Sequence, residues 1–397
     1  MSRPEGYLNT VKRAPSHAYI HIPYCIRKCP YCDFTSYPIR EAAVSPELYE
    51  RLILREAAFV LEQSLKKAAF LPPLETVYFG GGTPSAVSPS LILKMTGLLR
   101  EYAGIKEEAE ITLEANPGTV SSEAFKIYKE AGINRLSFGL QSSDDEMLQK
   151  IGRIHSREDF LKGYKAAREA GFENINVDLM LALPGQSPED LCREMDFILG
   201  LDPRPEHVSV YSLIIEPGTP FAALYESGRP PLPDDDCERR MYHYVRDRLR
   251  SEGLIPYEIS NQAKAGFESR HNIAYWEGKS YYGFGAGASS YLFSARRKNP
   301  DSLLAYKEQV LHNEAAPLEE IIDLDEAVKE FFIFRLRKSE GFSEAEFNAM
   351  FGRGFSSEEK NTLRHFCGEG LLLCEKGRIF LSRKGLDFSD AVARAFL

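Results

Sequence analysis

The chain has 397 residues, 43% hydrophobic and 27% charged, with a formal net charge of −9. That is an ordinary globular composition, long enough for one large domain and a small one. No Lys/Arg block marks a nucleic-acid binder, no apolar run approaches the roughly 20 residues of a membrane helix, and Met1–Ser16 carries charges and prolines in place of a signal peptide's apolar core, so a cytoplasmic protein is expected.

The predicted elements alternate along the chain. A strand over Ala18–Pro23 leads into three closely spaced cysteines and then a helix over Glu47–Lys67, whose Leu48, Leu52, Ala57, Val60, Leu61 and Leu65 recur near the helical period. Strand Thr76–Phe79 precedes helix Ser88–Glu101, Glu110–Glu114 precedes Ser121–Ala131, and Arg135–Leu140 precedes Arg157–Ala170. Asn174–Leu181 precedes Ser187–Leu199, and a sixth strand is expected at His207–Leu213. Hydroxyl caps before acidic first turns open helices at Ser121 and Ser187, and two helices close at Gly132 and Gly171. A closed barrel has eight units and typically about 250 residues. Six units in 16–255 therefore fit an incomplete (β/α)6 barrel better, with a doubly wound sheet as the rival. Both folds gather ligands at the carboxyl ends of their strands.

A short arm, 1–15, precedes this core. Pro-rich Arg229–Asp236 breaks the alternation, a helix follows at Cys237–Glu252, and a Gly- and aromatic-rich connecting segment covers 256–300. From 301 to 397 short helices and a terminal hairpin suggest a small winged-helix-like α+β domain; the hairpin pairs Leu371–Cys374 with Arg378–Ser382 around Lys376-Gly377.

Of the seven cysteines, Cys25, Cys29 and Cys32 form a C-x3-C-x2-C run just after the first strand. Clustered cysteines in a cytosolic chain read as metal ligands before disulfides. Three thiolates in one loop can hold three irons of a [4Fe–4S] cube and leave the fourth free to chelate a small molecule. The alternative is zinc on these three cysteines and His21. Gly80-Gly81-Gly82-Thr83-Pro84 follows the second strand, where glycines let the backbone approach a ligand. Glu114, Gln141, Arg153 and Asp178 interrupt apolar strands or the segments after them, which calls for a ligand or a satisfied network.

The cysteine run, with an aromatic before its third cysteine, resembles the radical SAM (S-adenosylmethionine) superfamily. The string from His21 to Phe34 is similar to the branch holding oxygen-independent coproporphyrinogen III oxidase and its heme-chaperone relatives of the HemW type, and the likeness continues to the C-terminus. It implies a radical SAM barrel with a [4Fe–4S] cluster on Cys25, Cys29 and Cys32, and SAM on the open iron. Gly81, Gly82 and Thr83 match the SAM-binding glycine element, and Glu114, Gln141 and Asp178 match polar SAM contacts. Arg153 suits the SAM carboxylate, while Tyr19 and Tyr31 match aromatic positions beside the methionine and adenine.

Two branches share that site. The oxidase branch carries a further cysteine two residues after the third, where this chain has Phe34, and a longer N-terminal arm. His271-Asn272-Ile-Ala-Tyr275-Trp276 resembles the chaperone signature, with His271 a candidate axial heme ligand and Asn272, Tyr275 and Trp276 beside it. Glu330–Gly341 resembles the same branch's terminal domain. The resemblance implies a heme chaperone that binds heme, cluster and SAM, takes electrons from a donor, passes heme to an acceptor protein, and binds no nucleic acid. The alternative is a radical SAM enzyme acting on a porphyrin, either a coproporphyrinogen III dehydrogenase or a heme-ring-modifying enzyme. No catalytic residue is assigned on either reading.

Overall fold

A computed structural model describes residues 14–68, 70–226 and 232–397. Nearly all of the expected arm 1–15 and the start of the Pro-rich stretch lie outside the described residues.

Six strands, β1 (His17–Ile22), β2 (Leu74–Gly81), β3 (Ile105–Ala115), β4 (Arg135–Gln141), β5 (Asn174–Leu181) and β6 (His207–Ser212), pair in sequence order and all in parallel. A doubly wound sheet reverses its order at a switch point; strict sequential order removes that rival. The intervening helices α1 (Pro46–Ala68), α2 (Pro89–Tyr102), α3 (Ser122–Ala131), α4 (Arg157–Glu169) and α5 (Pro188–Leu199), and α6 (Asp235–Ser251) after the sixth strand, fall within a few residues of their expected ranges. Ser121 caps the Ala124 N–H, Gly132 closes α3 at φ 91°, and reciprocal Ser–Asp capping boxes open α4 and α5.

Alternation within each strand separates two environments. In β4, Leu136, Phe138 and Leu140 are fully buried members of the hydrophobic core, while Ser137 and Gly139 line a cavity on the other face. Phe125 packs edge-on against Phe138, as does Phe160. Each such fully buried side chain contributes about 1.5–3 kcal/mol.

The sheet is wider than the six expected strands. β7 (Ile255–Pro256) and β8 (Asn261–Ala263) add antiparallel beyond β6, and β9 (Tyr282–Phe284) adds parallel to β1. The order is β9-β1-β2-β3-β4-β5-β6-β8-β7, an open arrangement with two ends. The segment 256–300 thus supplies strands to the core sheet.

The chain after 301 also divides later than expected. Helix Leu303–Leu311 belongs to the first core, where Leu303, Tyr306 and Val310 are buried and the Tyr306 hydroxyl donates to Glu56 at 2.6 Å. A second core gathers Phe331, Phe332, Phe342, Phe347, Phe351, Phe355 and Phe396, with Phe332 stacked on Phe396 at 4.5 Å. Its three-stranded sheet includes the expected hairpin, Leu372–Glu375 with Arg378–Leu381. Lys376 and Gly377 both take positive φ (50° and 78°), as a two-residue hairpin turn requires.

Candidate functional site

β1 ends against the cysteine loop. Tyr24–Cys25 pairs with Tyr37–Pro38, which closes the loop at its base, and the Cys32 N–H donates to the Cys29 carbonyl at 3.1 Å. Two bonds from the far end of the loop reach Asp301: the Thr35 hydroxyl donates to its carboxylate at 2.6 Å and the Tyr37 hydroxyl to its carbonyl at 2.8 Å. All three cysteines open onto one cavity of about 430 Å³ at the carboxyl ends of the strands. Burial pushes the Cys25 and Cys32 thiols up. Thr83 donates to Cys25 Sγ at 3.4 Å, and Arg153 Nη1 to Cys29 Sγ at 3.7 Å.

His21 takes no part in this set. Its Nδ1 meets the Tyr19 hydroxyl at 2.9 Å and its Nε2 the Thr35 carbonyl at 2.8 Å. With both ring nitrogens engaged, it is not placed to complete a three-cysteine zinc site.

The glycine run turns tightly under the cavity. A Cβ on Gly81, whose φ is 115°, would meet the His21 ring at 2.7 Å, and one on Gly82 would meet the Tyr24 backbone at 2.7 Å. The Gly81 N–H donates to Glu114 Oε2 at 3.2 Å, and the Tyr78 hydroxyl to Oε1 at 2.8 Å. Burial pushes Glu114 up to about 7, and the nearby Asp178 charge adds to this. Asp178 accepts from Asn176 at 2.7 Å and from Ser137 at 3.1 Å, and burial raises it too. Gln141 lines the cavity at φ 71°, a left-handed conformation uncommon outside glycine that tends to occur at ligand sites.

Arg153 is clamped by Asn116 Oδ1 at 2.6 Å and the Gly139 carbonyl at 2.7 Å. Its Nε is buried without a partner. Asn116 also donates to Thr83 at 2.8 Å. Tyr31 lines the cavity with its ring against Phe221. Tyr19 lies behind the lining, its hydroxyl spent on His21 and its ring 6.2 Å from that of Tyr78.

Sequence reasoning did not single out Asn116, Tyr78, Ser137, Met180 or Tyr211, which share the lining. The available signal was alternation: Asn116 lies two residues beyond Glu114, and Tyr78 two before Gly80, each on its strand's polar face.

The donor set fits the groups that the sequence suggests. Three thiols face a cavity lined by two carboxylates, and a buried guanidinium there retains an unspent N–H. Among the described residues, no three His, Cys, Asp or Glu side chains surround a point that one metal ion would fill.

The His271 group lies elsewhere. Helix α7 (Arg270–Trp276) sits at the opposite end of the strands, with its first N–H groups on Glu110 at 3.0 Å. His271 is 1% exposed; its Nδ1 meets Thr76 Oγ1 at 2.7 Å and its Nε2 the Tyr275 hydroxyl at 3.0 Å. Burial pushes its pKa down to about 3, so it is neutral. Its ring stacks on Tyr78, which separates it from the cavity. Asn272 helps form the helix start through the Ser269 cap. Trp276 lies under the Arg337 guanidinium at 4.4 Å and, with the adjacent Glu277, whose carboxylate pairs with Arg335 and Lys338, docks the C-terminal domain.

A sequential parallel sheet with a three-cysteine loop at the carboxyl end of its first strand defines a radical SAM protein. The Radical SAM superfamily model matches residues 19–198, and the HemN C-terminal domain model matches 322–388. The heme chaperone HemW of Bacillus subtilis is 37% identical over 96% of this chain and 98% of its own length. HemW of Escherichia coli is 34% identical over 86% of this chain and 88% of its own. The chain belongs to the HemW family. Coproporphyrinogen III oxidase (HemN) from Escherichia coli shares its fold, with a TM-score of 0.82 over 99% of this chain and 93% of that one at 21% identity. Among the described residues, no helix is long and apolar enough to cross a membrane.

Proposed function

We propose that this chain is a cytoplasmic heme chaperone that holds a [4Fe–4S] cluster and SAM and transfers heme to an acceptor protein. The carrying observation is likeness to HemW over nearly the whole chain, joined to a loop that opens three thiols onto a cavity suited to SAM. Cys25, Cys29 and Cys32 hold the cluster. Arg153, fixed by Asn116 and Gly139 and with an unspent Nε–H, would hold the SAM carboxylate. Glu114 and Asp178 supply negative charge for the ammonium group and acceptors for the ribose hydroxyls. When bound, cluster and SAM supply one-electron chemistry; the chain's own residues orient the ligand and exclude water. An electron donor and a heme acceptor complete the cycle.

His271, Asn272, Tyr275 and Trp276 are the proposed heme contacts. Iron ligation by His271 requires its bond to Thr76 or to Tyr275 to open, because both ring nitrogens are engaged. His271→Ala with unchanged heme affinity removes it as a required ligand.

The test is anaerobic reconstitution with iron and sulfide, then SAM and a reductant, in parallel samples with heme and with coproporphyrinogen III. Stoichiometric heme binding with coproporphyrinogen unchanged is expected. Loss of two carboxyl groups from coproporphyrinogen overturns the chaperone reading in favour of a porphyrin enzyme.

A further inference from the structure

Beneath the cavity lies a cation that the reading so far leaves unused. Arg135 opens β4 and is 2% exposed. Its register partners are Thr112 on β3 and Asn174 on β5. One pleat repeat further along, about 6.5–7 Å away, Ser137 pairs with Glu114 on one side and Asn176 on the other. Ser137 and Asn176 both donate to Asp178. The Arg135 side chain therefore occupies the layer immediately under Glu114, and Asp178, the register partner of Gly139, stands one layer higher.

Hydrogen bonding does not account for this placement. Arg135 Nε is buried without a partner, and so is the hydroxyl of its neighbour Thr112. A buried guanidinium is costly to place unless its charge is used. The other groups facing this interior are Tyr78 from β2, His207 and Tyr211 from β6, His17 and Tyr19 from β1, Tyr257, and His271 from α7. The tyrosines are held protonated by burial, and His17, His207 and His271 are held neutral by it. Glu110 is engaged by the first N–H groups of α7.

We propose that Arg135 is a positioning residue of the SAM site: a buried counter-charge that favours the carboxylate forms of Glu114 and Asp178, the forms a cationic ligand needs. The proposal rests on the SAM reading above. Burial drives both carboxyls up, and the Arg135 charge opposes it at both. SAM carries a positive sulfonium, so protonation of its carboxylate partners weakens binding.

The experiment measures SAM affinity of the reconstituted full chain from about pH 6 to about pH 9, for the wild type, Arg135→Met and Arg135→Lys. Wild-type affinity is expected to fall as pH drops through about 7. In Arg135→Met that fall moves up by about one pH unit, giving about fivefold weaker binding at neutral pH that recovers at the alkaline end. Arg135→Lys keeps the wild-type profile. A wild-type profile in Arg135→Met, or a loss equal at every pH, overturns the proposal. Absence of SAM binding in the wild type overturns the SAM reading and the proposal with it. Should Arg135→Met not fold, the double variant with Glu114→Gln decides. Recovery of folding supports the counter-charge role, because a neutral amide needs none, and continued misfolding overturns it.

Discussion

At Glu114, burial and ligand binding pull in opposite directions. The unfolded chain titrates this carboxyl near 4.5 and the folded chain near 7. Between those values the folded state binds the extra proton, so stability falls as pH rises through the window and stays reduced above it. Glu114→Gln is expected to stabilise the ligand-free protein by about 1–3 kcal/mol near pH 8, with the gain vanishing near pH 4.5, as read from urea midpoints. The same substitution should weaken SAM, so stability and ligand affinity move apart. Gly81→Ala places a Cβ 2.7 Å from the His21 ring at φ 115°. It is expected to cost about 2 kcal/mol in chemical denaturation. Serine at Cys25, Cys29 or Cys32 is expected to abolish iron retention after reconstitution while leaving the far-UV dichroism intact. The cysteine spacing made this loop legible in the sequence, because three thiols in eight residues need no partner from elsewhere to declare themselves. Asn116 was not legible. Its part depends on contact with Arg153 and Thr83, and a lone Asn after a strand carries no mark of either.

Among the elements, the six parallel strands and their helices were readable because each carries its own period and caps. The three-residue β9 was not. Tyr282-Gly283-Phe284 has no room for a period, and its place is set by β1, far away in sequence. Gly283 shows how closely that strand is packed: a Cβ there would overlap the Ser289 carbonyl at 1.9 Å. Helix α7 also reads differently in space. Its His271 end backs onto Tyr78, which donates to Glu114, and its Trp276 end meets the C-terminal domain. Glu277→Ala removes the partner of Arg335 and one of the two carboxylates on Lys338, which is 8% exposed and keeps Glu340. It is expected to weaken domain docking by about 1–2 kcal/mol, discounted for the partial exposure of Glu277. Faster limited proteolysis between the two cores, with each core's own resistance unchanged, checks it.

Over the whole molecule, two hydrophobic cores meet at that joint, and the boundary between them lies beyond helix Leu303–Leu311. The sequence placed it at residue 301, where the strand–helix alternation ends. Composition does not reveal that this helix still packs on α1 through Tyr306 and Glu56. The cysteine loop has a similar long-range dependence. Its bracing comes from Asp301, and the outer edge of its parent strand is covered by β9. A ribosome makes the three cysteines early and their supports late. For most of translation β1 therefore lacks one neighbour, and its loop lacks its anchor. Iron and sulfide delivered to the nascent chain before residue 301 is made would meet thiols without their final frame, so cluster loading belongs late in synthesis or after it.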